Sequence, residues 1–494
     1  MIVRRLLAAV AALALVTPAI AQRPQPAVAG AADAKLAARL RAAERWLDVY
    51  LEQEAVPGAS VAIVHDQQIV WAKGFGYANL AKRVPATPQT RYSICSISKL
   101  FTSIAAMQLR DAGKLDIDRP VADYLDWYRI HDVAKPDGPV TARAIMSHVA
   151  GLPREADTPY WSTANFPDLA TVKAKLAEQT SLYRTYDYLQ YSNLGLTLLG
   201  EQVAVASGED YHAYVKAHLI DPMGLKATTS ELPRALHGGE FAVGYKSRNG
   251  RGERDSFPFY TVNAIAPAAG FASTAEDLAK FASWQFRVLA NGDDAVLKSA
   301  TLREMQRVHW MTPDNANELW GLGFGIRNYK GKTMVGHGGY CPGYRSSIMM
   351  RPQEKLAIVA MVNVNDVSPE AISVGLYDFL SGDIRSAFAP RPAAPPPPAR
   401  PAAPDLAIYE GTYNRPGYDY DTYIFPQGNE LMSISLYADA PAGEVERYRH
   451  VEGSTFRRVR DDDSLAEPVR FEMGRDGRPV RVWSHSNALE RVGG

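Results

Sequence analysis

The stretch Tyr92-Ser93-Ile94-Cys95-Ser96-Ile97-Ser98-Lys99 stands at the head of an apolar helical run. The Ser96 hydroxyl lies at the positive end of that helix, and Lys99 sits one turn above it on the same face. An alcohol is a poor nucleophile at neutral pH unless a neighbour takes its proton, and an amine in a partly desolvated site can do so. Such a pair would support covalent chemistry at Ser96 with neither a metal nor an Asp–His couple. Read alone, the same residues also fit an N-capped helix with a solvated lysine. The run carries Ile97, Leu100, Phe101, Ile104 and Met107 at helical spacing, stops near Gly113, and is apolar almost all round, which predicts a central, buried helix.

On the N-terminal side, residues 33–54 read as an amphipathic helix with Leu36, Leu40, Ala43, Trp46, Leu47 and Tyr50 on one side. Ala59 to Val64 and Gln68 to Lys73 read as a hairpin around His65-Asp66-Gln67. On the C-terminal side, residues 114–235 are mostly helical with long loops, and Thr274-Ala275-Glu276-Asp277 caps a further helix. Strands follow at Thr333–Val335, Arg345–Met350 and Leu356–Asn363, then a helix near Pro369–Leu380. This order predicts an α+β domain over 33–388: one antiparallel sheet flanked by helices, with a helical subdomain. Residues 389–404 read APRPAAPPPPARPAAP, a polyproline-type linker. Residues 405–494 alternate short β-type runs with turns and predict a small all-β domain.

Arg4 and Arg5, the apolar stretch Leu6–Val16 and the small-residue site Ala19-Ile20-Ala21 predict a signal peptide over 1–21, with a disordered leader over 22–32. The apolar stretch is shorter than an ordinary membrane span, and no cysteine follows the cleavage site. The expectation is a secreted, periplasmic protein without stable membrane insertion. Lys+Arg and Asp+Glu both number 54, and this balance gives no reason to expect nucleic acid as a partner. Cys95 and Cys341 are the only cysteines; an oxidising compartment permits a bridge, but two small buried apolar residues is the reading favoured here. No Cys/His cluster has metal-ligand spacing, so no metal or other cofactor is expected.

Two further segments bear on Ser96. Tyr191-Ser192-Asn193 precedes an apolar helix; a phenol near a cation can shuttle protons, and an Asn can hydrogen-bond a substrate amide. Gly336-His337-Gly338-Gly339-Tyr340 would let a substrate backbone lie close to a strand with free N–H donors. Each alone has a bland alternative, a helix start or a tight turn.

Together and in this order, with Ser147-His148-Val149-Ala150-Gly151-Leu152 and Trp320-Gly321-Leu322-Gly323-Phe324, these segments resemble the serine β-lactamase and penicillin-binding-protein superfamily. The likeness is to its class C-like branch, which holds D-Ala-D-Ala carboxypeptidases, D-aminopeptidases and family VIII esterases, and it runs from about Val56 to Asn363. It implies Ser96 as the acylated nucleophile, Lys99 as its proton acceptor or electrostatic activator, and Tyr191 sharing the base role and activating the deacylating water. Asn193 would orient the substrate amide, and His337, Gly338 and Gly339 would line the substrate strand. The backbone N–H groups of Ser96 and Tyr340 would form an oxyanion hole. His337 and Gly338 replace the Lys and Thr of the Lys-Thr-Gly motif, removing a cation and a hydroxyl that would meet a carboxylate. The implied activity is hydrolysis of an amide or ester through an acyl-enzyme, with D-amino-acid peptides or small esters favoured. The alternatives are a β-lactamase proper and a non-catalytic cell-wall-binding protein. The implied partners are small molecules or peptides, peptidoglycan fragments among them. His148 and Asn363 read as structural. Tyr183, Tyr186 and Tyr188 are candidates for either the substrate cleft or the core. The C-terminal segment resembles lipocalin-like β domains appended to such hydrolases, which in some relatives border the active site.

Overall fold

The computed structural model describes residues 33–132, 138–313, 315–389, 405–415, 417, 421–436 and 445–492. The expected signal peptide, the leader and all but the first residue of the Pro-rich linker lie outside the described residues. The chain divides into two units, with the break between Ala389 and Pro390.

In the first unit, helix α1 (Ala34–Gln53) begins where the Asp33 carboxylate accepts from the Leu36 N–H. It buries Leu36, Leu40, Ala43, Leu47 and Leu51. Trp46, expected on that buried side, is instead 40% exposed. It stands at the border of the stripe, and its ring lies across Gly375 of a neighbouring helix, where a Cβ would be 2.8 Å from the indole.

The hairpin of β1 (Gly58–His65) and β2 (Gln68–Asn79) forms as read, with the first strand slightly longer and the second running on six residues past Lys73. The short β3 (Val84–Pro85) adds an edge. Far along the chain come β4 (Trp310–Thr312), β5 (Asn315–Trp320), β6 (Gly325–Tyr329), β7 (Lys332–Cys341), β8 (Tyr344–Arg351) and β9 (Leu356–Val362). They form one sheet in the order β3-β2-β1-β9-β8-β7-β6-β5-β4. The two ends of this unit meet within it, where β1 pairs antiparallel with β9 from Ala59↔Val362 to His65↔Leu356. Sequence reading missed β4 to β6, whose exposed Asn and Glu residues carry no apolar alternation.

Every residue of β1 but His65 is buried, because both faces of the sheet are covered. Val61 and Ile63 face the cluster holding α1 and the C-terminal helix α5 (Pro369–Phe388). Ala62 and Val64 face the larger core. That core centres on α2 (Ser98–Asp111), packed against α3 (Asn193–Ser207) and near α4 (Ala275–Asn291), which Thr274 caps as read. Phe101 of α2 is fully buried, with ring centroids 5.0 Å from Phe271 and 4.7 Å from Phe281.

The second unit is all-β, as expected. Its eight described strands close into a barrel, the first (Gly411–Asn414) pairing with the last (Asn487–Val492) through Tyr413↔Arg491. Tyr409, Tyr413, Phe456 and Phe471 fill its interior. Among the described residues no helix is long and apolar enough to cross a membrane.

Phe101→Ala leaves a cavity between two rings, and urea unfolding should show a loss of about 3–5 kcal/mol.

Candidate active site

The Ser96 helix starts later than its sequence suggests. Cys95–Ile97 forms a single 3-10 turn and α2 proper begins at Ser98. Cys95 is held at φ 51°, a left-handed conformation unfavourable for a residue with a side chain. Two ties hold the turn. The Ser98 hydroxyl donates to the Cys95 carbonyl at 2.5 Å and accepts from the Phe271 N–H at 3.0 Å. The other tie is covalent: Cys95 and Cys341 form a disulfide, with Cα atoms 5.7 Å apart. The favoured reading of two separate buried thiols is therefore corrected. The chain folds so that β7 runs beside the turn, which brings two cysteines distant in sequence within bridging reach.

Lys99 is almost completely buried. Its Nζ lies 3.1 Å from Ser96 Oγ, 2.7 Å from Asn193 Oδ1 and 2.8 Å from the Ala268 carbonyl. Burial holds its pKa well below the ordinary lysine value; nearby Glu155 opposes that shift and Arg154 reinforces it. Two of its three polar neighbours can only accept, so a neutral amine can donate to both and turn its lone pair towards Ser96.

Tyr191 and Asn193 are delivered by the start of α3. The residue between them, Ser192, is the cap: its hydroxyl accepts from Gly195 N–H at 2.8 Å and donates to the Pro153 carbonyl at 2.7 Å. With Ser192 thus fixed, Asn193 reaches Lys99, and its Nδ2 donates to Glu155 Oε1 at 2.6 Å. Tyr160 donates to the other Glu155 oxygen. The Tyr191 ring lies 4.8 Å from Lys99 Nζ, with Ser96 beside its phenol. Burial pushes its pKa up, the Ser96 hydrogen bond only partly countering this, so it stays a phenol at neutral pH.

An aromatic enclosure fixes that ring. His148 lies 4.2 Å from it, Trp320 5.9 Å and His337 6.3 Å, with the Arg154 guanidinium at 4.9 Å. His148 also accepts from the Ser192 N–H at 3.3 Å through Nδ1. It is a buried hydrogen-bonded histidine as read, and in addition a support for Tyr191. Burial, then Lys99 and His337, keep its pKa well below the ordinary value.

His337, Gly338, Gly339 and Tyr340 lie on β7 where its pairing with β6 has ended, at Gly336. Their other edge stays paired to β8. The strand therefore offers an unpaired edge beside the Ser96 turn. Gly339 is demanded by contact: a Cβ there would sit 2.3 Å from the Ile94 carbonyl and from Ser346 Oγ. His337 Nδ1 donates to the Gly338 carbonyl at 2.5 Å, which leaves Nε2 as an acceptor, buried and without a protein partner. Burial, with Lys99 adding to it, lowers the His337 pKa to about 3. Its imidazole is neutral at pH 7 and supplies no cation.

A cavity of about 350 Å³ opens on Ser96, lined by Arg154, Trp161, Asn193, Phe257 and Tyr340 among others. The structure thus brings Ser96, Lys99, Tyr191, Asn193 and the His337–Tyr340 edge together. Asn363 lies elsewhere and is structural, its Nδ2 donating to the carbonyls of Tyr77 and Val243. Tyr183, Tyr186 and Tyr188 belong neither to the core nor to the Ser96 cavity; they are exposed. Sequence reading missed Arg154, Glu155 and Trp161. The only available signal was that Arg154 and Glu155 closely follow the Ser147–Leu152 stretch.

Fold and site together define a member of the β-lactamase/transpeptidase-like superfamily, whose proteins are built around a serine acyl-transfer centre. Within it the chain belongs to the Beta-lactamase family, whose profile matches residues 43–382. It is similar to Protein flp of Staphylococcus aureus (strain MW2), 24% identical over 317 residues. That match covers 64% of this chain and 61% of the relative, so the likeness spans under two thirds of the relative's length. Beta-lactamase-like protein 2 of Dictyostelium discoideum is 28% identical over 208 residues, which is 41% of this chain and 38% of that one. Among solved structures, the octameric penicillin-binding protein homologue from Pyrococcus abyssi superposes with a TM-score of 0.62 at 22% identity, covering 91% of this chain and 99% of its own. A class C β-lactamase from Rhodobacter sphaeroides gives 0.57 at 20% identity, covering 70% and 99%.

Cys95 and Cys341 flank Ser96 and Tyr340, the two residues whose N–H groups would bind an oxyanion. Replacing both cysteines by alanine should lower unfolding free energy by about 2–4 kcal/mol. It should also reduce kcat more than it raises KM, read by steady-state kinetics on an ester.

Proposed function

We propose that this chain is an exported serine hydrolase that forms an acyl-enzyme at Ser96 and hydrolyses an ester or amide, with small esters and D-amino-acid peptides as the favoured substrates. The observation that carries this reading is the buried Lys99 amine, 3.1 Å from Ser96 Oγ and anchored by two oxygen acceptors. Ser96 Oγ attacks the substrate carbonyl as its proton passes to Lys99. The carbonyl oxygen gains charge and is met by the N–H groups of Ser96 and Tyr340. On collapse the bond to the leaving atom breaks, and Tyr191 donates its proton to that atom while recovering one from Lys99. Water then attacks the acyl carbon, its proton travels back through the same pair to Ser96 Oγ, and the acid is released. A phenol kept protonated by burial suits Tyr191 to this relay better than to the standing base role implied by the family resemblance.

Neutral His337 and side-chain-less Gly338 speak against a β-lactamase proper, whose substrates carry a carboxylate. The gathering of Ser96, Lys99 and Tyr191 at one place speaks against a purely wall-binding role. Export is supported by the leader sequence and by the Cys95–Cys341 bridge, which suits an oxidising compartment.

A fluorophosphonate should label Ser96, read by mass spectrometry of the adduct, and a fluorescent penicillin should label it weakly or not at all. Ser96→Ala should lose at least about 10⁴-fold in kcat, as removal of a nucleophile does, with its thermal midpoint nearly unchanged. Retained activity would refute the assignment. Because Lys99 must shed its proton to act, kcat/KM should rise with pH through one ionisation lying below the ordinary lysine range. That limb should disappear from the residual activity of Lys99→Ala, while His337→Gln should leave its position unmoved.

A further inference from the structure

We propose that Glu370 is a specificity-determining residue that bars carboxylate-bearing leaving groups from this site and so selects substrates neutral on that side. The proposal rests on the reading of Ser96 as an acylated nucleophile. Side chains alternate along β7: His337 faces Lys99, whereas Gly338 and Tyr340 face α5. A Cβ on Gly338 would stand 2.4 Å from Glu370 Oε1, so this carboxylate occupies the space of the missing side chain, beside the free strand edge.

The other Glu370 oxygen accepts from Ser368 Oγ at 2.8 Å and lies 3.4 Å from Arg345 Nη2. Arg345 stands directly opposite Tyr340 in the β7–β8 pairing, its guanidinium 5.5 Å from the Tyr340 ring centre. Arg345 is thus the cation nearest this stretch of edge on the α5 face, and Glu370 neutralises it. A groove of about 420 Å³ continues from here, lined by Trp320, His337, Gly338 and Glu370, with Glu318 and Arg327 further along it. Trp320 and His337 also enclose Tyr191. Two residues that line the groove therefore also stand beside the phenol that protonates the leaving atom, which marks the groove as the leaving-group side. An arriving carboxylate would meet Glu370 at close range and find Arg345 already paired. A neutral group meets no such opposition.

The test compares kcat/KM for 3-acetoxybenzamide and 3-acetoxybenzoate, which differ only in the charge of the leaving phenol. The wild-type protein should prefer the benzamide about tenfold or more, the scale of one charge contact at a half-buried surface. Glu370→Gln, which keeps the shape and the Ser368 contact, should narrow that preference about tenfold. Arg345→Gln, an independent variant, should widen it. Equal ratios in all three proteins, or a wild-type preference for the benzoate, would overturn the proposal. Absence of both ester turnover and Ser96 labelling would instead bring down the acyl-enzyme reading, and this proposal with it.

Discussion

One buried amine organises this site. An ammonium taken out of water loses several kcal/mol of hydration unless its surroundings replace it. Here the replacements come from three separate parts of the chain: Ser96 one turn away, Asn193 at the start of α3, and the Ala268 carbonyl. The nearest carboxylate, Glu155, reaches it only through Asn193. That arrangement fixes the amine while its burial lowers its hold on a proton, the direction a proton acceptor needs. The packing of α2 against α3 is thereby tied to chemistry, since it buries Lys99 and supplies the Asn193 contact that holds the amine in place.

The sheet supplies the second half of the constraint. A strand at the middle of a sheet has no free donors, and a strand at its edge has a whole row. β7 is both: paired with β6 up to Gly336 and open from His337 onward. Gly336 and Gly339 are there because neighbouring backbone carbonyls leave no space for side chains. The neutrality of His337 follows from burial first and from the nearby Lys99 second.

Much of this was legible in the sequence, for identifiable reasons. α2 was readable because it is apolar all round, and α3 because a Tyr-Ser-Asn triplet with a capping serine stands before an apolar run. That strands from both ends of the first unit join one antiparallel sheet was readable from their continuous apolar stretches, although which strands pair was not. The strands from Trp310 to Tyr329 were not legible, since an edge strand with one wet face carries little periodicity. The position of Trp46 was lost because a residue at the border of a helical stripe can turn either way. Glu155, Glu370 and the cysteine bridge were invisible for a different reason: each matters only through a partner brought close by tertiary folding, and no local pattern announces such a meeting.

The bridge between Cys95 and Cys341 has one more consequence. It closes residues 95–341 into a covalent ring that contains α2, α3, α4 and β4 to β6. A peptide bond cut anywhere inside that ring leaves both new ends attached to the same molecule. In surroundings rich in proteases, a nicked copy would keep its nucleophile and its strand edge fastened to each other, and a single break in a surface loop would not by itself release a fragment.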